Sequence, residues 1–82
     1  MYYIHAYGEQ DDFSVSVYFA SGDGDDKTEI VRVDTAHGTT HFHKLYRRDE
    51  PAPEVDWGLW ETVTKFTENW REYARRYEQR SG

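Results

Sequence analysis

The chain of 82 residues has no cysteine, two prolines, one methionine and no long apolar run. Each shortage narrows what it can be. Without cysteine there is no disulfide framework and no thiolate metal site. Nothing approaches the ~18 consecutive apolar residues that a membrane span requires, and the mean hydropathy of -1.03 agrees. The opening residues lack the basic-then-apolar pattern of an export signal, so the expected setting is the cytoplasm, with no membrane partner. Cations are scarce too: 10 Lys and Arg stand against 16 Asp and Glu, a net charge of -6. The deficit is uneven, with 5 cations against 13 acids over residues 1–64 and 5 against 3 over residues 65–82. Affinity for nucleic acid rests largely on neutralising phosphates, so the chain is expected to be a poor general binder of DNA or RNA, and only a local basic patch can engage a phosphate backbone.

What the chain does have is aromatic bulk, 17% of its residues, which suits a single small domain that must build its core from a few large side chains. Residues 1–7 are strand formers that stop at Gly8. Residues 13–20 alternate with the period of a half-buried strand, Phe13, Val15, Val17 and Phe19 on one side and Ser14, Ser16 and Tyr18 on the other. Glycine and aspartate at residues 22–26 form a hairpin turn, since three aspartates there lack the spacing of a calcium loop. A third strand follows over residues 27–34, a second turn over 35–38 and a fourth strand over 39–48. The loops pair Val17 with Val31, Val15 with Val33, Val31 with Phe42, Val33 with Thr40, Arg32 with His41 and Ile30 with His43. Pro51 and Pro53 make residues 49–55 a crossover. Asp56 then caps a helix over residues 56–80, whose Leu59, Trp60, Val63, Phe66, Trp70, Tyr73, Ala74 and Tyr77 share one stripe.

The expected fold is therefore α+β: a four-stranded antiparallel meander over residues 1–48, covered on one face by one long C-terminal amphipathic helix. The core comprises Tyr2, Ile4, Ala6, Phe13, Val15, Val17, Phe19, Val31, Val33, Phe42 and Tyr46 against the helix stripe. Trp57, Trp60 and Trp70 belong to the core and its rim. The opposite face carries Tyr3, His5, Tyr7, Ser14, Ser16, Tyr18, Ile30, Arg32, Asp34, His41, His43 and Leu45.

Tyr, His and Arg are types enriched at contact surfaces, and they stand where Lys, Glu and Thr would suit plain solvent. Four readings stay open. The aromatics can be cross-strand fillers on a wetted face. Tyr3, His5, Tyr7 and Tyr18 can form a homodimer or partner surface. His41 and His43, on one side of a strand, can ligate zinc with His37 or Asp34 as a third ligand, although a structural zinc site usually takes four. Alternatively a histidine can act as general acid or base, with Arg32 stabilising a phosphate anion. On the helix, Arg71, Arg75, Arg76 and Arg80 either grip RNA or an acidic partner, or sit solvated beside Glu68 and Glu72.

The string Val31-Arg32-Val33-Asp34-Thr35-Ala36-His37-Gly38, followed by His41-Phe42-His43-Lys44, resembles small prokaryotic toxins of the TumE-like class of toxin–antitoxin systems, which carry R-x-D-N-A-P-H and then H-K-H. It also resembles small proteins with a V-R-x-D-T-A-H-G string and a terminal helix rich in Trp, Tyr and Arg. The resemblance implies a strand-rich fold with a helix, a cognate antitoxin-like partner, and metal-independent action on RNA or translation carried by Arg32, Asp34, His37, His41 and His43. No cofactor is expected.

Overall fold

The alternating segments form four antiparallel strands, β1 (Tyr2–Glu9), β2 (Asp12–Ala20), β3 (Lys27–Ala36) and β4 (Thr39–Lys44), in the sheet order β1-β2-β3-β4, and α1 (Leu59–Ser81) follows. The computed structural model describes residues 1–9, 12–21, 26–36, 38–47 and 51–81, and only the backbone of residues 36, 80 and 81. Residues 22–25 of the turn expected at 22–26, Arg48, residues 49–50, the candidate His37 and the Arg80 side chain lie outside the described residues. Among the described residues no helix is long and apolar enough to cross a membrane.

The meander has the expected order, but its register departs from expectation twice. Val15 pairs with Val33 and Val17 with Val31, whereas the next pair is Tyr18 with Glu29. Ile30 is therefore the extra residue of a β-bulge, where two residues of one strand oppose one of the other. The bulge turns Ile30 inward, so it is fully buried beside Val31 instead of standing on the open face opposite His43. The second departure is at the next hairpin, where Ala36 faces Thr39 and Asp34 faces His41, two residues further toward the turn than expected. Arg32 thus faces His43, Val33 faces Phe42 and Val31 faces Lys44. A shift of two preserves which face each residue occupies, which is why the core survives it. Gly38 takes φ +82 with open space where a Cβ would stand, so backbone conformation and not crowding suits glycine there.

β4 is shorter than expected. It ends at Lys44, where a turn closed by Arg47 N donating to Lys44 O at 2.9 Å follows; Leu45 N still donates to Ile30 O at 2.9 Å, and Tyr46 is buried in the core. The crossover then lies along the outer edge of β4: Phe42 N donates to Pro53 O at 3.0 Å and Val55 N to Thr40 O at 2.9 Å. Proline fits this edge because it contributes a carbonyl where it has no N–H to give. The edge at β1 carries no further strand among the described residues.

α1 begins at Leu59, three residues beyond the expected cap at Asp56. The Gly58 carbonyl accepts both Thr62 N at 3.0 Å and Thr62 Oγ1 at 2.8 Å, which satisfies the hydroxyl of a fully buried threonine. The buried stripe is Leu59, Thr62, Val63, Phe66, Trp70, Tyr73, Ala74 and Tyr77. Trp60 does not join it and is 78% exposed, since one residue beyond Leu59 it is turned by about 100°. Phe66 is the centre of the packing, with ring centroids 6.0 Å from Phe42 and 5.7 Å from Tyr73. Ala6 is exposed, its methyl on the edge strand being too short to join the core.

Candidate functional site

The face of the sheet away from α1 divides into two halves of different chemistry. On β1 and β2, Tyr3 stacks on Tyr18 with ring centroids 5.3 Å apart and planes 19° from parallel. The Lys27 ammonium lies 5.3 Å from the Tyr18 ring centre. His5 and Tyr7 are exposed at the far end of β1. The Tyr7 phenol donates to Glu9 Oε2 at 2.6 Å, and this bond to a carboxylate raises its pKa.

On β3 and β4 the same face carries a chain of charged groups. Ser16 Oγ donates to Glu29 Oε2 at 2.5 Å, and the other Glu29 oxygen lies 3.0 Å from Arg32 Nη1. Arg32 Nε is 3.0 Å from Asp34 Oδ2, an ion pair whose angle is too bent for a straight hydrogen bond. Asp34 Oδ1 in turn lies 3.2 Å from His43 Nε2. The rings of His41 and His43 are 6.4 Å apart between centroids. Four of the five residues singled out from the sequence, Arg32, Asp34, His41 and His43, therefore stand together; His37 lies outside the described residues.

The register decides their roles. With Arg32 opposite His43 and Asp34 opposite His41, the Asp34 carboxylate reaches diagonally to His43, the second kind of cross-strand neighbour. A carboxylate on Nε2 selects the tautomer with its proton on Nε2, leaving Nδ1 as the basic nitrogen. The expectation that Arg32 stabilises a phosphate does not fit, because its guanidinium is already held between Glu29 and Asp34. Arg32 is instead a strut that fixes the carboxylate behind His43. Among the described residues no group of three or more His, Asp or Glu is placed to hold a metal ion.

Sequence reasoning misses Glu29. Strict alternation puts it on the covered side, and only the bulge at Ile30 brings it beside Ser16 and Arg32. Beyond the end of this chain of charges lies a cleft of about 550 Å³, lined among others by Lys27, Glu29, His43, Lys44 and Arg47. No sequence signal connects these residues, since the cleft forms only where the start of β3 meets the end of β4.

No curated protein and no solved structure matches the chain. The full stretch of residues 1–82 matches the family described as Domain of unknown function (DUF7718), and the chain belongs to that family.

Proposed function

We propose that the β3–β4 half of the open face is a metal-independent acid–base site acting on RNA, in a cytoplasmic component of a toxin–antitoxin-type module. The observation that carries this reading is the Asp34-held His43 with His41 beside it, on a face left open by the helix. The likeness of residues 31–44 to TumE-like toxins supplies the biological setting. In this reading His43 Nδ1 takes the proton of a ribose 2′-hydroxyl, whose oxygen attacks the adjacent phosphorus. The bond from phosphorus to the 5′-oxygen breaks as protonated His41 donates its proton to that oxygen. The products are a 2′,3′-cyclic phosphate and a 5′-hydroxyl, and atoms and charge balance without a metal.

Inducible expression tests this directly. Wild type is expected to arrest growth and to cleave RNA when purified, and the His41→Ala, His43→Ala variant to lose at least about 100-fold of that cleavage while keeping its circular dichroism spectrum. Absence of both growth arrest and cleavage in the wild type sinks the proposal.

A second reading draws on a separate observation. The stacked Tyr3 and Tyr18, with Tyr7 55% exposed on a strand whose outer edge is unpaired among the described residues, fit a homodimer or antitoxin-like partner surface. A non-catalytic adaptor would use this half alone. Light scattering of wild type against Tyr3→Ser, Tyr7→Ser separates the readings, because loss of assembly with cleavage retained assigns the aromatic half to contact.

A further inference from the structure

The five Lys and Arg of residues 1–64 are scarce among 13 acids, yet three of them, Lys27, Lys44 and Arg47, line the cleft that also receives His43. Among the described lining residues the acid is Glu29, which is engaged by Ser16 and Arg32. Neither Lys27 nor Lys44 is ion-paired among the described residues; their ammonium groups lie over the Tyr18 and Phe42 rings, at 5.3 and 5.8 Å. Arg47 also lines a second cleft, of about 440 Å³, together with Arg75, Arg76 and Gln79. There two guanidiniums share one carboxylate, Glu72, at 3.5 and 3.0 Å, which leaves a net positive charge.

From this juxtaposition we infer that the two clefts form one cationic track, joined at Arg47, that binds the phosphodiester backbone of single-stranded RNA and leads it past His43. The inference rests on the proposed RNA-acting site and names how its substrate is held. Charge concentrated against the sign of the whole chain is the footprint of phosphate binding, and two linked clefts suit a polymer where one would suit a lone anion. The Tyr18 ring holds the Lys27 ammonium on the open face, whereas Lys44, paired with Val31, carries its ammonium over the Phe42 ring on the helix side of β4, the side on which Arg75 and Arg76 lie.

The test is fluorescence anisotropy of the full chain with a fluorescein-labelled 2′-O-methyl oligoribonucleotide, which binds but lacks the attacking hydroxyl. Wild type is expected to bind at low salt and to weaken log-linearly as salt rises. Lys27→Gln with Lys44→Gln, and separately Arg75→Gln with Arg76→Gln, should each weaken binding at least about 5-fold and flatten the salt slope by about 0.7 for each phosphate no longer neutralised. Absence of wild-type binding, or indifference of binding to both cation pairs, overturns the track. So does full competition by inorganic phosphate with no dependence on oligonucleotide length, which reduces it to a single anion site. Cleavage by wild type that survives both cation pairs overturns the track and spares the acid–base site. Binding without cleavage of unmodified RNA does the reverse.

Discussion

The two faces of this one sheet are made by alternate residues of the same strands, yet they differ in almost every physical respect. Toward α1 stand Val15, Val17, Val31 and Val33, with Ile30 brought in by the bulge, all fully buried and closed over by Phe66. Away from it, the side chains of Arg32, Asp34 and His43 keep 33%, 28% and 30% of their surface. Burial of apolar surface is what stabilises a chain this small, while partly exposed ion pairs each contribute about 0–1 kcal/mol. The covered face therefore holds the fold, and the open face is free to carry the chain of charged groups from Glu29 to His43.

The largest expected effect lies on the covered face. Phe66→Ala removes the ring against which Phe42 and Tyr73 pack and should cost about 3–5 kcal/mol in a denaturant titration. Ile30→Ala comes next, at about 2–4 kcal/mol, because the bulge places Ile30 in the core. A cost below about 0.5 kcal/mol would return Ile30 to the surface and with it undo the placement of Glu29.

That second residue also marks the limit of what the sequence discloses. The period-two pattern of β2 and the stripe of α1 are long and regular, so the meander, the helix and the sidedness of Arg32, Asp34, His41 and His43 can be read directly. A bulge leaves no such trace, since one extra residue looks like ordinary alternation with a fault, and Ile30 beside Val31 is apolar on either reading. Hairpin register is similarly hidden, because a shift of two residues keeps every face. The faces are thus legible while the partners are not: loop length alone puts Arg32 beside His41, and it stands opposite His43. Trp60 shows the corresponding weakness in the helix, where hydrophobicity at the margin of a stripe does not decide burial. The cationic clefts are illegible altogether, because Lys27, Lys44, Arg47 and Arg75 are joined only by tertiary structure.

Asp34→Asn asks how far the open face matters to the fold. Arg32 Nε is shut off from water with only the Asp34 charge beside it, so replacing the carboxylate by an amide leaves that buried edge of the guanidinium without its counter-ion, and the cost should be about 1–2 kcal/mol. The more telling readout is the imidazole. Nitrogen-15 correlation spectra at neutral pH should show the Nε2–H tautomer of His43 in wild type and a mixture in the variant. A loss of stability equal to that of Phe66→Ala would break the division of labour between the faces. An unchanged tautomer would detach Asp34 from His43.

The smallest effect compares two tyrosines of β1, one on each face. Tyr2 packs its ring against Phe19 and Trp70, at 5.0 and 5.5 Å, and donates its hydroxyl to Glu78. Burial first, and the bond to Glu78 second, push its pKa up to about 12, against about 10 in an unfolded chain. Below pH 10 both states keep the proton and the stabilisation is present in full. Between pH 10 and about 12 only the unfolded chain releases it, so wild-type stability falls with rising pH. Tyr2→Phe keeps the ring, loses about 0.5–1 kcal/mol near neutrality, and should close on wild type as the pH approaches 12. In thermal melts of both variants across this pH range, Tyr7→Phe, on the exposed half of the strand, should track wild type near neutrality. If Tyr7→Phe shows the larger loss near neutrality, the open face at β1 is covered in solution, and the aromatic half belongs to a second copy or a partner.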